Sequence, residues 1–224
     1  YFIYIITLSC IYIMVALSYA IPVGYAGLVN FGHIGLFAIG AYSSAIMTTH
    51  GFSFWISLVV SAIFTGIVGF LLSLPTRRVR GDYYALMTLG FTFVVNAAIL
   101  NLHMLTRGPL GISGIQRPEG FTDSRSFLFL VFISLLAIGF FVYRVVKSPF
   151  GLALEAVRDD EMVAESLGKP TFKLKVIALS LSGILVGIAG AYFAHFLQFI
   201  NANVFWLDNV VWILAALVIG GLAS

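Results

Sequence analysis

The chain has 224 residues, of which 61% are hydrophobic and 9% charged, with a formal net charge of +3. A soluble domain carries roughly 25% charged residues, so a mean hydropathy of +1.06 excludes a water-soluble globule. The small positive excess suits anionic lipid and membrane topology and argues against a nucleic-acid partner.

Seven nearly charge-free stretches follow one another: 1–20, 29–49, 54–74, 83–102, 127–143, 176–197 and 209–224. At about 1.5 Å rise per residue, runs of this length match the hydrocarbon thickness of a bilayer. The expected fold is therefore all-α: a polytopic transmembrane helical bundle of about seven spans, forming a single domain over 1–224. The chain opens inside one run and stops inside another, so further helices are expected at both ends.

The first run holds Cys10, the only cysteine, which rules out an internal disulfide and a Cys-based metal cluster. Around the start of the second run, Pro22, Gly24, Gly27, Gly32, Gly35 and Gly40 surround Asn30 and His33. Small residues let membrane helices approach closely, whereas Pro with clustered Gly also permits an unwound segment where protein or water surrounds it. Each glycine alone reads as packing. Together, beside an intramembrane imidazole, they favour a broken helix lining a path. His33 is by default a functional candidate, although a neutral histidine bonded within the bundle fits equally well. Asn96 and Asn101 in the fourth run carry the same ambiguity. Asn30, His33 and Asn96 are the candidate pathway residues.

Basic residues lie between the runs. Arg77, Arg78, Arg80, Arg144, Lys147, Arg158, Lys169, Lys173 and Lys175 fall in two loops separated by two spans, while Arg107, Arg117 and Arg125 fall in the loop between those spans. The positive-inside rule places the richer pair of loops in the cytoplasm.

The loop 148–170 reads as a helix outside the bilayer. Ser148-Pro149 resembles an N-cap with Pro at the first helical position, and Gly168 with Pro170 is a stop. The run Arg158-Asp159-Asp160-Glu161 divides it, with Asp159 or Asp160 capping a second short helix. A solvated connector and a docking element for a cytoplasmic protein are equally compatible with this chemistry. In the docking reading, Leu154, Val157 and Met162 fill a groove on the partner, and Glu155, Arg158, Asp159, Asp160 and Glu161 sit at its rim. In the sixth run, Gly183, Gly187 and Gly190 read as a small-residue packing face. His195 and Asp208 lie near the ends of their runs and are expected to reach the headgroup region.

No H-E-x-x-H, G-x-S-x-G or Walker lysine occurs, and the four histidines lack ligand spacing. Any energy source must lie outside the chain. A secondary transporter would need acidic coupling groups at mid-membrane. A channel would need a filter and would leave the extramembrane helix unexplained.

Specific motifs add to this. Gly24-Tyr25-Ala26-Gly27-Leu28, Phe31-Gly32-His33 and Ile39-Gly40-Ala41-Tyr42 are followed by Arg78-Val79-Arg80-Gly81-Asp82-Tyr83-Tyr84-Ala85, Thr88-Leu89-Gly90-Phe91 and Gly108-Pro109-Leu110-Gly111-Ile112-Ser113-Gly114-Ile115. Ser148-Pro149-Phe150-Gly151, Ala156-Val157-Arg158-Asp159-Asp160-Glu161, Ala164-Glu165-Ser166-Leu167-Gly168 and Gly220-Gly221-Leu222-Ala223-Ser224 complete the order. As a set, these resemble branched-chain amino-acid ABC transporter permeases of the LivM type. The resemblance implies a permease domain in a bacterial or archaeal cytoplasmic membrane, with no cofactor of its own and ATP used by partner subunits. The implied partners are a second permease, two cytoplasmic ATPase subunits and an extracytoplasmic solute-binding protein. It also makes 148–170 the cytoplasmic coupling loop. Where many relatives carry an acidic and then a basic residue after Phe91, this chain has Thr92 to Asn96, and Arg107 stands where a small residue is common. Urea or short-chain amide uptake is therefore the alternative to branched-chain amino acids.

Overall fold

A computed structural model describes residues 2–79 and 81–205. The seventh run, Asp208, Arg80 and the Gly220–Ser224 motif lie outside the described residues. Helix α1 spans Phe2–Ala20, α2 His33–Thr49, α3 Phe54–Ser73 and α4 Asp82–Asn101. A short α5 (His103–Thr106) and a two-residue strand β1 (Ile112–Ser113) precede α6 (Ser124–Val146). Then come α7 (Pro149–Asp159), α8 (Glu161–Ser166), α9 (Thr171–Leu197) and β2 (Phe199–Ile200).

The burial pattern of α3 differs from that of a helix in a soluble protein. Between its buried ends at Phe54 and Leu72, α3 buries Ser57, Ser61, Ala62, Thr65, Gly66 and Gly69, while Trp55, Ile56, Val59, Ile63, Phe64, Ile67 and Leu71 point outward. The hydroxyls of Ser57, Ser61 and Thr65 turn back onto their own helix carbonyls. Small residues inside and large apolar residues outside is the arrangement expected where the surroundings are lipid. Among the described residues, five helical segments, Phe2–Tyr25, Phe54–Arg77, Asp82–Asn101, Ser124–Val146 and Thr171–Leu197, are long and apolar enough to span a bilayer. Helix α2 has 17 residues, about 25 Å of helix.

Helix α9 is the hub, packing on α1, α2 and α3. Its glycines set the distances: a Cβ on Gly40 would stand 2.7 Å from the Gly187 Cα, and one on Gly183 would stand 2.7 Å from the Thr65 carbonyl oxygen. No side chain fits between these backbones, and the helices touch directly.

Two boundaries differ from the hydropathy reading. Helix α2 starts at His33 rather than near 29, because the glycine-rich segment before it is irregular. Helix α9 starts at Thr171 rather than near 176, so Lys173 and Lys175 lie on the helix. Lys175 is buried there, its charge met by Glu161 at 2.6 Å.

The guanidinium of Arg77 lies over the Phe172 ring at 5.9 Å, which brings the end of α3 to the start of α9. The end of α6, α7 and α8 share that end of the bundle. At the opposite end β1 pairs antiparallel with β2, Ile112 facing Ile200. Arg77, Arg78, Arg144, Lys147, Arg158, Lys169, Lys173 and Lys175 therefore cluster at one end, and Arg107, Arg117 and Arg125 at the other.

Candidate functional site

Proline at position 22 has no N–H to donate to the Ser18 carbonyl one turn earlier, and its ring crowds that carbonyl. The helix cannot continue in α geometry. It widens into a π turn over Ile21–Tyr25, closed by Ala26 N–H to Ile21 O at 3.3 Å and Leu28 N–H to Pro22 O at 2.8 Å. The freed Ser18 carbonyl accepts from the Ser182 hydroxyl of α9 at 2.7 Å. After the turn, residues 26–32 run as irregular backbone until α2 begins.

Irregular backbone at membrane depth must be satisfied by its surroundings. Tyr19 donates its hydroxyl to Asn30 O at 2.7 Å, and the Asn30 side-chain oxygen accepts from the Gly32 N–H at 2.8 Å. Two threonines of α4 bracket the Phe31 peptide: Thr88 Oγ1 accepts its N–H at 3.0 Å, and the Thr92 hydroxyl donates to its carbonyl at 2.9 Å. Gly35 lies against Phe91 and Thr92 of the same helix. Thr92, the first residue of the stretch that follows Phe91, thus holds the break. Sequence reasoning missed Tyr19, Thr88, Thr92 and Ser182. Thr88 and Thr92 stand four apart in an apolar helix, a spacing that places two hydroxyls on one face and was the available signal.

His33 opens α2 and is 2% exposed. Its Nε2 lies 2.9 Å from Ser18 Oγ, and its ring stacks on Tyr19 at 4.5 Å. Because the Ser18 hydroxyl proton goes to Val15 O at 2.7 Å, the imidazole Nε2–H donates to Ser18. Nδ1 then has no partner among the described residues, and neither does Asn30 Nδ2. Asn96 sits further along α4, where its amide donates to Phe205 O at 3.0 Å. Asn30, His33 and Asn96 are all buried, so none lines an open channel in this conformation.

One expectation changes. His195 does not reach the headgroups: it is fully buried, with Nε2 3.0 Å from Ser44 Oγ and Nδ1 2.6 Å from Gln116 O, and it pins the connector before α6 to the end of α9. Asn101, left open by the sequence, is exposed and donates to Ala97 O in its own helix.

The extramembrane element is two helices. Ser148 does not cap α7 through its side chain, which bonds back to Val145 O at 2.6 Å. Gly151 makes the sharp entry possible, since a Cβ there would overlap the Val146 carbonyl. Asp160 caps α8, accepting from Met162 N–H at 2.9 Å and Val163 N–H at 3.0 Å. Gly168 ends the element at φ 79°. Leu154 and Val157, expected to face a partner, are buried at 1% and 4% exposure, because α7 lies with that side against α6, α9 and the π turn. They belong to this chain's own core. The exposed apolar residues are instead Leu152, Met162, Val163 and Leu167, with Glu155 half-buried and Asp159 and Asp160 exposed beside them.

The whole chain, residues 1–224, matches the family model described as branched-chain amino acid transport system / permease component. The chain belongs to this family. It is 36% identical to the high-affinity branched-chain amino acid transport system permease protein LivM of Escherichia coli K12, over 98% of this chain and 58% of the relative. The LivM protein of Salmonella typhimurium is 35% identical over the same shares. A probable LivM of Methanocaldococcus jannaschii is 24% identical over 87% of this chain and 67% of its own length. The chain thus spans about 58% of the length of the first two curated relatives. No solved structure matches. Family membership and the apolar helices make this a multi-pass integral membrane protein.

Proposed function

We propose that the chain is a membrane-spanning permease subunit of an ABC importer that moves branched-chain amino acids handed over by an extracytoplasmic binding protein. It works with a second permease and two cytoplasmic ATPase subunits, and ATP is consumed by those ATPases. The location is the cytoplasmic membrane of a bacterium or archaeon, with the basic end of the bundle inside.

The observation that carries this reading is the α7–α8 element. It stands at the basic end, it is anchored through Leu154 and Val157, and it leaves Leu152, Met162, Val163 and Leu167 uncovered. An apolar face held outside the bilayer needs a protein to cover it. In a permease powered from outside, an ATPase is that protein. Glu155, Asp159 and Asp160 form the rim that sets its orientation, whereas Glu161 is turned inward to Lys175. The break between α1 and α2 forms one wall of the route, with Asn30 and His33 behind it and Asn96 nearer the far end.

Uptake by the reconstituted complex tests the substrate. Labelled leucine should accumulate only with ATP and binding protein present, and excess valine or isoleucine should compete. Accumulation of urea with indifference to leucine would replace the substrate and keep the architecture.

A further inference from the structure

The carbonyl of Gly24 lies inside the π turn, where a regular continuation would supply an N–H from Val29. The chain has turned away by then, and the oxygen is met from outside the membrane bundle: Arg158 Nη1 donates to it at 2.7 Å. Arg158 lies in the last turn of α7, two residues before Asp160, which caps α8. Its stem lies across Gly27, whose φ of +65° is one that L side chains rarely adopt. A Cβ at Gly27 would stand 2.9 Å from Arg158 Cγ and 3.4 Å from both its Cα and Cβ. Gly27 is thus the seat on which the arginine crosses from the extramembrane element to the break. A second tether, Lys175 to Glu161, ties the start of α8 to α9.

We infer that Arg158 is the positioning residue that makes the α1–α2 break move as one body with the α7–α8 element, so that displacement of that element is delivered to the break. The inference rests on the importer reading above. The chemistry favours a linkage that transmits force. A guanidinium–carbonyl bond is charge-assisted and short, and its loss would leave the Gly24 oxygen unpaired in low dielectric. The side chain is 35% exposed, so it links compartments rather than filling a core.

The test uses the assembled complex with Cys10→Ala, which removes the thiol of this sequence, and reads solute accumulated per ATP hydrolysed. Arg158→Ala should keep ATPase association at the unmodified level while lowering that ratio at least tenfold, and Arg158→Lys should retain part of it. Gly27→Cys with Arg158→Cys supplies an internal control. The Cβ···Cβ distance of 3.4 Å lies at the short edge of the disulfide range of about 3.5–4.5 Å. Reduced, this double variant should be uncoupled; oxidised with copper phenanthroline, it should recover, because the covalent bond restores the connection between α7 and the break even though the Gly24 oxygen has lost its donor. A wild-type ratio in Arg158→Ala, or an oxidised double variant that stays uncoupled, overturns the linkage. Loss of uptake strictly in proportion to lost ATPase association would reassign Arg158 to docking. Failure of the unmodified complex to couple uptake to ATP would instead remove the importer reading itself.

Discussion

Replacing Leu154 and Met162 separately by alanine distinguishes the face of α7–α8 that holds this chain together from the face that meets a partner. Leu154 is 1% exposed, and truncating a buried leucine costs about 2–5 kcal/mol, depending on how far the cavity collapses. It sits at the extramembrane end, where water is the competing solvent, so the ordinary transfer scale applies. Met162 is 70% exposed, and its truncation should change stability by less than about 0.5 kcal/mol. In the docked complex it should matter more: losing about 1–2 kcal/mol of buried apolar contact weakens association roughly 5- to 30-fold. Met162→Asp should abolish docking, since an unpaired charge in an apolar groove costs several kcal/mol. The assay is thermal unfolding of the permease in nanodiscs alongside ATPase co-purification at fixed concentration. Leu154→Ala should lower the melting temperature, with association falling only as the fold fails. A Leu154→Ala protein of unchanged melting temperature that releases the ATPase, or a Met162→Asp protein that keeps it, would refute this division of faces.

Gly40→Val should push α2 off α9, because even a Cβ meets the Gly187 backbone at 2.7 Å; unfolding in graded detergent should show a loss near the upper end of about 1–3 kcal/mol. Ser18→Ala removes the acceptor of the His33 Nε2–H, and a buried donor left unpaired should cost about 1–3 kcal/mol by the same measurement. Serine restored by threonine should recover more than alanine does. For topology, Lys169→Cys should react with an impermeant maleimide only from the cytoplasmic side, and Glu119→Cys only from outside, in a Cys10→Ala background. Both reacting from the same side would invert the assignment of the basic end.

Much of the architecture was legible because lipid imposes one strong rule. Backbone groups cannot be left bare in hydrocarbon, so long apolar runs have to be helices. The same rule hides which face of each helix turns inward. On α3, hydropathy is high all round, and only the i, i+4 spacing of Ser57, Ser61, Thr65 and Gly69 marks the buried side. The α7–α8 division was legible from the charged run and the Asp160 cap. The orientation was not: Leu154, Val157 and Leu152 are chemically alike, and whether each meets the chain's own core or a partner depends on how the sharp turn at Gly151 sets α7 down. The fate of His195 was hidden for a similar reason, since its partners Ser44 and Gln116 lie far away in sequence.

The break is held from four directions, and this constrains how it can open. Tyr19 of α1, Thr88 and Thr92 of α4, Ser182 of α9 and Arg158 of α7 each supply a bond that the chain's own ladder lost near Pro22. Exposing any one of these groups unpaired would cost about 1–3 kcal/mol, and more where hydrocarbon replaces water. Releasing all of them together is prohibitive. A cycle that moves the segment must therefore either carry its partners along or admit water and a polar solute to replace them. Bonds from α4 and α9 come from spans, whose sideways movement repacks glycine contacts across the bundle. Among these hydrogen bonds, Arg158 alone comes from an element outside the membrane. Among these links it is the one through which a push from outside the bilayer reaches the break first.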